Sequence, residues 1–87
     1  MAQDFAWLNQ IYDNFDGGRA ASWAQEAYPM LIAGLPLLSA ESYREGVPEA
    51  LMDLRILLER FTPENAEQHA FELCDRIADL RELLEEA

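Results

Sequence analysis

Residues 62–86, TPENAEQHAFELCDRIADLRELLEE, constrain the fold more than any other stretch. Ala66, Ala70, Leu73, Ile77, Leu80 and Leu84 recur at alternating steps of four and three, which is the apolar seam of one helix face. Thr62 is a suitable N-cap. Pro63 fits the first helical position, where its missing N–H is no loss, and Glu64 lies where the helix dipole favours an anion. The seam is shorter than three heptads, too short for a free coiled coil. It predicts a bundle helix that must find apolar partners elsewhere in the chain.

Those partners are predicted to be helices as well. Valine and threonine occur once each, as Val47 and Thr62, while Ala, Leu and Glu are abundant. Strand-favouring residues are thus scarce and helix formers plentiful. A helix is expected from Asp4, as N-cap, to about Phe15, with Phe5, Leu8, Tyr12 and Phe15 on one stripe and Ile11 beside it. Asn9, Gln10, Asp13 and Asn14 should face away. DGG at 16–18 breaks this helix, and a second begins near Arg19 with Ala20, Trp23, Ala24 and Ala27. A third, Pro48–Phe61, carries Leu51, Leu54, Leu58 and Phe61 on one stripe, widened by Leu57, with Met52 and Ile56 on another face. Being apolar nearly all round, it should be buried on two sides. The two-residue TP corner then folds the fourth helix back on the third. The expected fold is all-α: one domain (1–87), a compact bundle of four to five helices with a C-terminal antiparallel helical hairpin of about 48–61 and 63–86.

Residues 28–38, YPMLIAGLPLL, carry one polar side-chain group, the Tyr28 hydroxyl, in a chain of net charge −11. Eleven residues with two prolines fall well short of the roughly 20 apolar residues of a spanning helix. Either Pro29 kinks a helix that runs to about Ala33, or it opens a new one; Gly34-Leu35-Pro36 ends it in both cases. The segment is expected to lie across helix three, received by Met52 and Ile56. The alternative makes Met30, Leu31, Met52 and Ile56 a face for a homodimer or another partner. SAESYREG (39–46) should hold one short helical turn.

No catalytic or cofactor motif is present. His69 and Cys74 are the only residues of their types, and a helix spacing of five puts them on different faces. Cys74 should lie at the flank of the seam as a small buried hydrophobe. A zinc or di-iron site needs more ligands than one His and one Cys. His69, Glu72 and Asp75 at steps of three read as a solvated His beside helix carboxylates. There is no phosphate-binding glycine loop. The expectation is a non-enzymatic protein without metal or cofactor. One cysteine permits no intrachain disulfide and MAQDFAWLNQ has no signal-peptide pattern, so a cytoplasmic location is expected.

Charge supplies the functional lead. Seventeen acidic residues face six basic ones, all arginine. Direct contact with nucleic acid or anionic lipid is disfavoured, and a basic protein surface is the natural partner. Glu72, Asp75, Asp79, Glu82 and Glu86 step by three, four, three and four opposite the seam, over roughly 21 Å of helix. Phe71 lies near this stripe, an aromatic candidate for a contact point. Such a stripe is either the solvated back of a bundle helix or a phosphate-like ladder offered to a basic groove. In size, acidity and helical build the chain is similar, as a class, to phage-encoded anti-CRISPR proteins, DNA mimics and nuclease-immunity proteins. No motif residue carries over from them. The expected function is an inhibitor occupying a basic, nucleic-acid-binding type of surface; the alternative is a structural or adaptor subunit that homodimerises through apolar helix faces.

Overall fold

The computed structural model describes residues 6–85, and the predicted Asp4 cap, Phe5 and Glu86 lie outside them. Four α-helices run in order: α1 (Ala6–Asp13), α2 (Ala20–Gly34), α3 (Val47–Glu59) and α4 (Ala66–Glu85), with 3-10 turns between them and no strand among the described residues. The chain is an all-α bundle. Its radius of gyration, 12.4 Å, is close to the roughly 12 Å expected of a compact chain this long.

All six predicted seam residues of α4 are buried, from Ala66 to Leu84. The start of α4 forms as its sequence dictates, with one addition. Thr62 Oγ1 accepts from Asn65 N at 3.3 Å, and Asn65 Oδ1 accepts from Thr62 N at 2.8 Å. This reciprocal box caps a 3-10 turn, Pro63–Asn65, that feeds directly into α4. Asn65 Nδ2 also donates to Arg60 O, tying the end of α3 to the same corner. The hairpin is antiparallel: Gly46, before α3, meets Leu83 late in α4, and Asp53 faces Arg76 midway. Gly46 has φ +89°, which favours glycine, and a Cβ there would crowd the Leu83 side chain at 3.1 Å.

α2 packs most extensively on α4. It is one helix passing through Pro29, so the reading in which Pro29 opens a new helix is excluded. Gln25, whose carbonyl loses its helical donor, and Pro29 itself are both exposed, so water can satisfy the orphan. The buried face of α2 consists of Ala20, Trp23, Ala24, Ala27, Leu31 and Gly34. Its spacing continues through the 3-10 segment Leu35–Glu41 as Leu35 and Leu38.

This stripe corrects two expectations about residues 28–38. The segment does not lie across α3. Its first half is the end of α2, the helix that packs most extensively on α4, and it meets α3 only along one edge, where Tyr28 and Ile32 line a groove with Arg55, Leu58 and Glu59. Met52 and Ile56 therefore receive nothing: they are 53% and 42% exposed, and α3 is buried on one side, through Val47, Leu51, Leu54, Leu57 and Leu58. The helical turn expected within 39–46 is displaced upstream. It is the end of the 3-10 segment, followed by turns in which Arg44 N bonds Glu41 O and Val47 N bonds Arg44 O.

Orphan carbonyls at two helix ends are closed by side chains from other elements. In the last turn of α1, Phe15 N turns back to Tyr12 O, leaving Ile11 O without its helical donor. Trp23 Nε1 of α2 donates to it at 2.8 Å. At the end of α4, Arg44 Nη1 donates to Leu84 O at 2.6 Å, a cation where the dipole favours one. Glu41, the one buried charged residue described, lies 2.8 Å from Arg44 Nε and holds that side chain. Trp7 of α1 closes over Gly34 of α2 so tightly that an added Cβ would lie 2.5 Å from the indole.

Two stability tests follow from these contacts. Gly34→Ala is expected to cost about 1–3 kcal/mol by overpacking against Trp7. In a Trp7→Ala background the same change should instead stabilise, by up to about 1 kcal/mol, since alanine is the better helix former. Urea unfolding of the four proteins of that cycle reads the sign change. Trp23→Phe keeps a six-membered aromatic ring but removes the pyrrole ring with its donor. It should cost about 1–3 kcal/mol by stranding Ile11 O, and an unchanged midpoint would show that water replaces the indole.

Candidate functional site

The seam that buries one side of α4 fixes what the opposite side shows. Glu72, Asp75, Asp79 and Glu82 are all exposed, on a face flanked by α1 on one side and α3 on the other. At 1.5 Å per residue they span about 15 Å. Like charges at steps of three and four cost a few tenths of a kcal/mol per pair, so the stripe exists against a mild local penalty.

The antiparallel hairpin adds what the α4 sequence alone does not show. Glu49 and Asp53 of α3 face Asp79 and Glu82 across a shallow groove of about 400 Å³ floored by Ala50 and Leu83. The acidic surface is therefore two rows wide. Arg76 stands between the rows, its Nη1 4.0 Å from Asp53 and its Nη2 3.7 Å from Glu72. The signal for this second row was present in the sequence. Once the TP corner pairs the two helices, residues equidistant from it lie opposite each other, which brings α3 carboxylates toward those of α4. Arg81 turns to its own flank: its guanidinium lies 4.5 Å above the Tyr12 ring and 3.9 Å from Glu85.

Phe71 borders the stripe one turn before Asp75 and is 54% exposed. Its other side is packed: Phe15 meets it edge-on at 5.4 Å, and Phe15 in turn meets Trp23 edge-on at 4.9 Å. Phe15 thus supports Phe71 without covering it.

The expected apolar grouping separates. Leu31 is fully buried in the core face of α2 and offers no surface. Met30 is exposed on one flank of α2, in a polar groove with Asp16, Arg19, Trp23 and Glu26. Ile32 is exposed on the other flank with Tyr28. A helix advances 100° per residue, so neighbours such as Met30, Leu31 and Ile32 cannot share a face. Met52 and Ile56 remain together, one turn apart on the outer side of α3.

Among the described residues, no group of three His, Cys, Asp or Glu is arranged to hold a metal ion, and no helix is long and apolar enough to cross a membrane. His69 Nδ1 lies 4.0 Å from Glu72, an ion pair only when the ring is protonated. Cys74 is half-buried beside the seam, and burial, with a smaller contribution from Asp75, pushes its thiol above the ordinary value. A raised pKa leaves less thiolate at neutral pH. Reaction with a disulfide reagent at neutral pH should therefore be slower than for the urea-unfolded chain, and equal rates would show that this flank opens freely. No known protein family matches the chain, and no significant similarity was found to a curated protein or to a solved structure.

Proposed function

We propose that this chain is a small acidic, non-enzymatic binding protein that occupies a basic surface of another protein, as anti-CRISPR proteins and DNA mimics do. The observation that carries this reading is the double row of exposed carboxylates, Glu72, Asp75, Asp79 and Glu82 on α4 with Glu49 and Asp53 on α3. The rows lie on two helices packed side by side, about 8–10 Å apart. The spacing along α4, about 5 Å per charge, is comparable to the 3.4 Å between phosphates along one DNA strand, though sparser. A groove lined with Lys and Arg would meet these carboxylates where it otherwise meets phosphates. Competition would be steric and electrostatic, with no bond made or broken. Phe71, rigidly backed by Phe15, supplies an aromatic contact at the edge of the footprint.

The test reverses charge where it cannot disturb the core. Asp75→Lys, Asp79→Lys and Glu82→Lys combined should leave the circular dichroism spectrum unchanged, because all three side chains are exposed. Wild-type protein immobilised at low salt should capture a basic protein from lysate of the native cell, and the triple variant should not. Affinity for the captured protein should fall about tenfold or more between low and high salt. Retention by the triple variant, or an affinity indifferent to salt, would overturn the proposal.

A further inference from the structure

A second surface of the molecule differs from the acidic one in both shape and charge. Between α2, the 3-10 segment and α3 lies a groove of about 330 Å³, lined by Tyr28, Ile32, Pro36 and Leu58, with Arg55 and Glu59 on its α3 rim. Ile32 is half exposed within it. Tyr28 is fixed there by stacking on Phe61, with ring centroids 5.0 Å apart. On the far side of the rim, Met52 and Ile56 continue the apolar surface over the outside of α3. One basic and one acidic side chain thus lie between two apolar strips, on a helix face that its own chain leaves open.

From this arrangement we infer that the groove docks a second copy of the same chain, through a two-fold contact centred on Arg55 and Glu59. The charge pattern selects that occupant. A two-fold axis brings residue i of one copy to residue j of the other, and j to i. Arg55 and Glu59, one helical turn apart, become two crossed ion pairs under that operation. Among the described residues Arg55, like Arg19 and Arg60, takes part in no ion pair within its own chain, whereas Arg44, Arg76 and Arg81 each do. A chain of net charge −11 must approach its copy through its least negative face. This face carries balanced charge, whereas α4 presents only carboxylates along its outward stripe. A basic foreign partner gains little at a balanced face and much at the acidic one. The groove and the stripe lie on different sides of α3, so the dimer would hold both acidic faces clear, and the inference is independent of the function proposed for them.

Sedimentation velocity over about 1 to 200 µM at physiological salt should show a concentration-dependent monomer–dimer equilibrium. Arg55→Glu and Glu59→Arg, each at an exposed position, should each weaken dimerisation about tenfold or more, because each sets like charges against one another at both contacts. Mixing the two single variants should restore a dimer, now strictly of one copy of each, since Glu at 55 and 59 of one copy meets Arg at both positions of the other. Ile32→Glu should abolish dimerisation of the otherwise native chain. A monomer throughout that concentration range overturns the inference. So do single variants that dimerise like wild type, or a mixture that associates no better than its components.

Discussion

The close approach of α2 to α4 is the constraint on which the rest of the bundle depends. Three of the buried positions on α2 are alanines (Ala20, Ala24 and Ala27), and the last is Gly34. Side chains this small let the larger seam of α4, Leu73, Ile77, Leu80 and Leu84, fill the space between the two axes. With those helices set, α1 and α3 can only take the two flanks of α4. The face of α2 carries few large residues, and part of the missing bulk comes from α1. Trp7 comes down on Gly34, and Trp23, at the edge of the alanine stripe, reaches back to the end of α1. The small residues of α2 thus prescribe where the bulky aromatics of α1 must go.

The same geometry decides which charges can be functional. A buried seam on α4, with neighbours on both flanks, leaves one outward strip, and carboxylates fill it at four successive stations. Arg76 is the cation placed to offset them, and it is shared between two helices, so its compensation is divided between Glu72 and Asp53. Arg44 serves the end of α4 and Arg81 lies against Tyr12; neither is free to neutralise the stripe. Isolated surface ion pairs contribute at most about 1 kcal/mol, so their loss would scarcely destabilise the fold. The negative field of this face is therefore separable from stability, a property that a surface selected for binding requires and a core does not.

What could be read from the sequence was what period and caps encode. The α4 seam, the Thr62 cap with Pro63 and the break at DGG depend on local chemistry, and all appear where the residues put them. The acidic stripe followed from the seam by rotation. What could not be read was which of two apolar faces a helix would bury. The outer apolar pair of α3 invited a partner, and residues 28–38 were the obvious supply. The supply went elsewhere because Leu31, Leu35 and Leu38 continue the spacing of Ala20, Ala24 and Ala27 across Pro29. Treating that proline as a boundary hid a stripe that runs through it. Only once Leu31 is seen as core do Ile32, Met52 and Ile56 emerge as surface.

Helix α3 is where the two surfaces meet. Glu49 and Asp53 project toward α4, Arg55 and Glu59 toward the groove with α2, and Met52 and Ile56 lie between them on the outer side. Steps of two and four residues along one helix thus sort its side chains into an acidic edge, an apolar strip and a charge-balanced edge. A bundle helix buried on one side needs only polar residues on the other three faces, and any mixture would suffice for solubility. Segregation of this kind is not required by folding. Exposed apolar side chains favour association, and like charges gathered on one edge favour an oppositely charged surface; both carry a cost in the isolated chain that random placement would avoid. With the apolar strip between them, the acidic and the charge-balanced edges of α3 could meet two partners of different chemistry, as the two proposals require.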